Sequence, residues 1–153
     1  MTPPALDAPI LLVDDDPEMR TMLRDVLVAA GFRTEEAVDT DALLALVPRV
    51  EPAAIILDHE MPGDWGLEVL PTLRRRWPKI PVIIITAFGG PKARETAARL
   101  GAAAYLDKPF RLAAFIDVLC CAVSPAMQGW RLQEARSQTG LTDGWPSAKL
   151  ETV

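Results

Sequence analysis

PILLVDDDPEMRTMLRDVLVAAG, residues 9–31, contains one complete strand–turn–helix unit. Pro9 to Val13 is a short, solidly apolar run, and Asp14-Asp15-Asp16 stops it. Asp16 is a suitable N-cap and Pro17 suits the first helical position. Met19, Met22, Leu23, Val26, Leu27 and Ala30 then fall on one helical stripe, which Gly31 ends. A strand without in–out alternation is buried on both faces, which implies a parallel sheet covered by helices.

The same grammar repeats outward from this unit. Ala53–Leu57 and Val82–Ile85 are further apolar runs, ending at Asp58 and Thr86, and weaker runs at Arg33–Ala37 and Ala103–Leu106 suit peripheral strands. Helical patterns fill the gaps: about 40–47, stopped by Pro48; about 66–77, with a kink or late start at Pro71; 91–100, closed by Gly101; and about 111–123. The expected fold is a single doubly wound α/β domain of five βα units, and the polar residues that end its strands, Asp14–Asp16, Asp58, Thr86 and Lys108, are consistent with a flavodoxin-like parallel five-stranded sheet of order 2-1-3-4-5. The domain occupies 9–123. Residues 1–8 are an N-terminal extension, and 124–153 lack a sustained stripe and read as a mainly disordered or loosely docked tail.

Composition narrows the function classes. Half of the 153 residues are apolar and 24% are charged, so disorder throughout is excluded. A net charge of -5 argues against nucleic-acid binding and against anionic membranes. The N-terminus has neither a basic region nor a long apolar segment, and the expected location is cytoplasmic. Cys120 and Cys121 point about 100° apart on a helix and read as two reduced thiols.

Polar chemistry gathers at the carboxyl ends of the strands, the default site in such a sheet. Asp14, Asp15 and Asp16 follow the first run, Asp58 the third, Thr86 the fourth and Lys108 the fifth. The expected order sets the first and third strands side by side, bringing Asp14 and Asp15 near Asp58. Three carboxylates held together repel unless a proton or cation compensates, and Mg²⁺ suits such an oxygen-rich set. Lys108 adds a positive charge and Thr86 a hydroxyl, a set able to hold a phosphoryl group carried on a carboxylate.

These segments closely resemble the receiver domain of two-component response regulators: ILLVDDDPEMR (10–20), IILDHEMPGDWGLEVL (55–70), VIIITAFG (82–89) and GAAAYLDKPF (101–110). The resemblance covers about residues 9–123. It implies that Asp58 accepts phosphate from a histidine kinase or histidine phosphotransfer protein. It further implies that Asp15 ligates Mg²⁺ directly and Asp14 indirectly, with Asp58 and the backbone carbonyl of Glu60 as further ligands. Thr86 and Lys108 would contact the phosphoryl group, Tyr105 would be the aromatic switch that turns inward with Thr86, and Lys108-Pro109 would be cis. An acidic pair followed five residues later by Arg fits Asp14-Asp15 and Arg20, which leaves Asp16 free to cap the helix.

Several residues admit a plainer reading. Tyr105 could be a packed strand aromatic, Arg74-Arg75-Arg76 a solvated helix end favoured by its dipole, and Gly89-Gly90 an ordinary turn. His59 reads as structural or surface, Trp65 as a packed loop aromatic or a partner contact. The resemblance implies a signalling receiver rather than an enzyme, one that acts through an unidentified downstream protein because no output domain is recognisable. It would be a monomer or a phosphorylation-dependent dimer. The alternative is a phosphorylation-independent interaction or dimerisation module. A haloacid-type hydrolase fits poorly, since its acceptor would follow the first strand rather than the third.

Overall fold

The computed structural model describes residues 7–58, 66–87 and 91–123. Five strands alternate with five helices: β1 (Ile10–Val13), α1 (Pro17–Ala29), β2 (Thr34–Ala37), α2 (Thr40–Val50), β3 (Ala54–Asp58), α3 (Gly66–Arg76), β4 (Val82–Thr86), α4 (Pro91–Arg99), β5 (Ala104–Asp107) and α5 (Leu112–Val123). All neighbouring strands pair in parallel, in the order β2-β1-β3-β4-β5. This is the architecture expected from the sequence.

Strand alternation divides the core into two layers. Ile10, Leu12, Ile56, Ile83, Ile85 and Leu106 face Leu23 and Leu27 of α1 and Phe115 and Leu119 of α5. Leu11, Val13, Ile55, Leu57, Ile84 and Tyr105 face the other way, toward Leu43 of α2, Leu70 and Leu73 of α3, and Ala97 of α4. β1, β3 and β4 are buried along their whole length, which accounts for their unbroken apolar runs. Edge strand β2 reads TEEA and buries only Ala37 fully. Each fully buried Leu or Ile contributes roughly 1.5–3 kcal/mol relative to exposure, and backbone ordering offsets most of the sum.

Local chemistry sets most element ends. The Asp16 side chain accepts from Glu18 N–H at the start of α1, and Gly31 ends the turn with φ 99°. Gly101 closes α4 in the same left-handed region, φ 98°. Two prolines depart from expectation. α2 does not stop at Pro48 but continues to Val50. Pro48 falls in the last turn, where its missing N–H removes a single bond to the Leu44 carbonyl. Glu51 then ends the helix in the left-handed region, φ 46°, with its N–H donating to the Val47 carbonyl at 2.9 Å. α3 starts at Gly66 and is one continuous helix across Pro71, so the late start is not observed.

Cys120 and Cys121 are free thiols, both buried on α5. The tail from residue 124, the expected extension through residue 6, and the expectations on His59, Glu60, Trp65, Gly89 and Gly90 fall outside the described residues.

Candidate phosphoacceptor and metal site

Sheet register builds the site. Val13 pairs with Leu57, so Asp14 and Asp58 are the next residues at the carboxyl ends of adjacent strands. Asp58 in turn pairs with Ile85, one residue before Thr86, and Thr86 pairs with Asp107, one residue before Lys108. Asp14 is 1%, Asp58 4% and Thr86 0% exposed, whereas Asp15 faces solvent. Carboxylate oxygens of Asp14, Asp15 and Asp58 lie within 4.8 Å of one another. The site thus brings together three acids that occupy two strand ends.

Lys108 closes the cluster. Its Nζ lies 3.4 Å from Asp58 Oδ2 and 3.7 Å from Asp14 Oδ2. The preceding strand end is fixed by Lys108 N–H donating to the Thr86 carbonyl at 2.7 Å, and the Lys108–Pro109 bond is cis. Burial pushes the Asp14 carboxyl up to about 7, helped by the charge of Asp58 and a shared carboxyl hydrogen bond with it; the Asp16 N–H and Lys108 pull the other way. One ammonium does not balance three carboxylates.

The donor set fits a hard divalent cation. Three carboxylates converge, and Asp14 Oδ2 is buried with no hydrogen-bond partner among the described residues. A group of this kind accepts either a proton or a metal-centred positive charge. Glu60, whose carbonyl completes the expected ligands, lies outside the described residues.

Around the acids, Arg20 donates from Nη1 to the Asp14 carbonyl at 2.7 Å and from Nε to Glu36 Oε1 at 3.1 Å. Glu36 was not legible as part of this region, because parallel pairing of β1 with β2 juxtaposes residues far apart in sequence. Beside Lys108, Met19, Met22, Ala87, Pro109 and Phe110 line a mainly apolar cavity of about 330 Å³. The methionines read in sequence only as part of the α1 stripe. Tyr105 is fully buried against the α4 side of the sheet, with the Arg94 guanidinium 5.7 Å from its ring centre. Its ring therefore already occupies an inward position in this structure. The Arg74–Arg76 cluster is more than a solvated end: Arg74 donates to the Ile80 carbonyl at 3.0 Å and Arg76 stacks over Trp77 at 4.4 Å.

The family model described as the response regulator receiver domain matches residues 10–119. The chain belongs to that family. As a receiver it is 37% identical over 112 residues to the response regulator protein FleR of Pseudomonas aeruginosa, covering 73% of this chain and 24% of FleR. It is 32% identical over 132 residues to the transcriptional regulatory protein FixJ of Azorhizobium caulinodans, covering 86% of this chain and 63% of FixJ. The chain thus spans less than two thirds of either relative. The receiver domain of NtrX from Brucella abortus superposes with a TM-score of 0.71 at 31% identity, over 74% of this chain and 97% of that domain.

Receivers act as phosphoacceptors rather than as turnover enzymes, and the acidic cluster is consistent with that role. No helix among the described residues is long and apolar enough to cross a membrane.

Proposed function

We propose that this receiver accepts a phosphoryl group on Asp58 in a histidine-to-aspartate relay, with Mg²⁺ required for the transfer. One observation carries the reading: Asp14, Asp15 and Asp58 converge within 4.8 Å at a site that Lys108 enters as an ion-pair partner. A carboxylate oxygen of Asp58 attacks the phosphorus of a phosphohistidine. The new P–O bond forms as the P–N bond breaks, and the leaving imidazole keeps the nitrogen electron pair and takes up a proton. Asp15 and Asp58 would hold the cation directly and Asp14 indirectly, with the Glu60 carbonyl as a further ligand. When bound, Mg²⁺ offsets the charge of the carboxylates and of the phosphoryl oxygens.

Lys108 pairs with Asp58 before transfer and follows the charge to a phosphoryl oxygen afterwards. The Thr86 hydroxyl donates to another phosphoryl oxygen. Exposed Ala87, with only a methyl group, leaves the approach open. Thr86 and Tyr105 then act together, because Tyr105 pairs with Ile84, two residues before Thr86 and on the same sheet face. Their joint packing would alter the surface of α4, β5 and α5 that a downstream protein or a second copy reads.

The test is incubation with a small acyl phosphate and Mg²⁺, followed by intact-mass measurement. Wild type should gain one acid-labile phosphoryl group only when the cation is present, and Asp58→Asn should gain none. Undiminished labelling of Asp58→Asn at another residue would overturn the assignment.

A further inference from the structure

Arg20 reaches in two directions from the start of α1. Its Nη1 donates to the backbone carbonyl of Asp14 at 2.7 Å, and its Nε donates to Glu36 Oε1 at 3.1 Å. The other oxygen of Glu36 faces Arg24 Nη1 at 3.6 Å. Arg20 and Arg24 share one helix face, being four residues apart, so the edge strand supplies a carboxylate that two successive turns of α1 grip. The Arg20 side chain is only 17% exposed, which limits the screening that weakens surface pairs.

The bond to Asp14 matters because of the peptide it holds. The Asp14 carbonyl belongs to the rigid plane joining Asp14 to Asp15. Fixing that plane fixes how both carboxylates leave the backbone. Residues 14–16 form the turn between β1 and α1, and the Asp16 carbonyl accepts from Arg20 N–H at 3.0 Å. Asp16 N–H pins the turn by donating to Asp14 Oδ1 at 2.9 Å, and Asp14 N–H donates to the Ala37 carbonyl at 3.2 Å. Arg20 supplies the hold on the carbonyl.

We propose that Arg20, locked by Glu36, is a positioning residue for the cation site, raising Mg²⁺ affinity through the Asp14–Asp15 peptide without touching the ion. The inference rests on the proposed reading of Asp14, Asp15 and Asp58 as the cation site. Electrostatics alone predicts the opposite sign. A guanidinium near a divalent cation repels it, so its removal would strengthen binding. Geometry predicts weakening, and predicts it for Lys as well, because one ammonium cannot reproduce a planar fork with two separated donors.

The full chain is titrated with Mg²⁺ alone, with the amide NMR shifts of Asp14, Asp15 and Asp16 as the readout. Arg20→Gln should bind on the order of tenfold more weakly, the scale set by outer partners of metal ligands. Arg20→Lys and Glu36→Gln should weaken binding in the same direction. Arg33→Gln, whose parent side chain bonds the Asp7 carbonyl at 2.9 Å instead, should match wild type. In labelling by acetyl phosphate, Arg20→Gln should need more Mg²⁺ for half-maximal rate yet reach the wild-type rate at saturation. Equal or tighter Mg²⁺ binding by Arg20→Gln overturns the proposal. If that variant fails to fold, wild-type affinity in Glu36→Gln overturns it. Absence of Mg²⁺ binding to wild type would overturn the cation reading itself, and this proposal with it.

Discussion

Asp14 and Asp58 stand opposite each other one residue beyond the Val13–Leu57 rung, both buried, and the Lys108 ammonium lies within 3.7 Å of a carboxylate oxygen of each. That relationship makes the metal-free site sensitive to pH.

The Asp14 carboxyl, raised to about 7 in the folded protein, titrates near 4 when unfolded. The native state therefore holds more protons than the unfolded state across that interval. Stability from this group is greatest below about pH 4 and falls as pH rises through 7. In chelator at pH 8, Asp14→Asn should be more stable than wild type by about 1–2 kcal/mol, and the gain should shrink below pH 5. Urea unfolding at both pH values checks this. The sequence directs attention equally to Asp15, but Asp15 is exposed, so its neutralisation should relieve less.

Phosphorylation should shift the NMR signals of Thr86 and Tyr105 and continue into Lys92, Arg99 and Arg111. Since Tyr105 already lies inward, phosphate is expected to favour that packing over an alternative rather than to create it. A tenfold change in the ratio needs only about 1.4 kcal/mol. Thr86→Ala should still label at Asp58 and lose most of the distal response. A full distal response in that variant would show that the hydroxyl is not the link.

Glu51 carries a left-handed backbone at φ 46° without being glycine. Left-handed geometry costs an L-residue about 1–2 kcal/mol, and glycine's extra unfolded-state freedom cancels roughly 0.5–1 of it. Glu51→Gly should raise stability by about 0.5 kcal/mol, measured by urea unfolding, while phosphorylation stays unchanged.

Gly101 presents the reverse case. At φ 98° a side chain is strained, and an added Cβ would sit 3.1 Å from Arg74 Cγ. Gly101→Ala should lose about 1–2 kcal/mol. Adding Arg74→Ala should recover the contact component but not the backbone component, which a double-mutant cycle separates.

The apolar runs of β1, β3 and β4 were legible because burial on both faces removes alternation, and Asp16-Pro17, Gly31 and Gly101 marked turns whose geometry few residues satisfy. The convergence of Asp14, Asp15, Asp58 and Lys108 followed from strand order. Pro48 misled because a proline in a last turn costs one hydrogen bond, not the helix. Burial of Asp14 beside exposure of Asp15 was hidden, since adjacent residues at a strand end diverge according to the turn that follows. The Arg20–Glu36 contact was hidden too, because it depends on parallel pairing across an intervening helix.

The strand order also bears on when the site exists at all. Asp14, Asp58, Thr86 and Lys108 stand at the carboxyl ends of β1, β3, β4 and β5, so any fragment that holds the whole site must run at least from Asp14 to Lys108. Lys108 arrives only when the last strand docks on β4. A molecule in which β5 has not docked therefore lacks the counter-charge that steadies the acids. Under the proposed chemistry, chemical competence becomes a report on completed folding of the sheet.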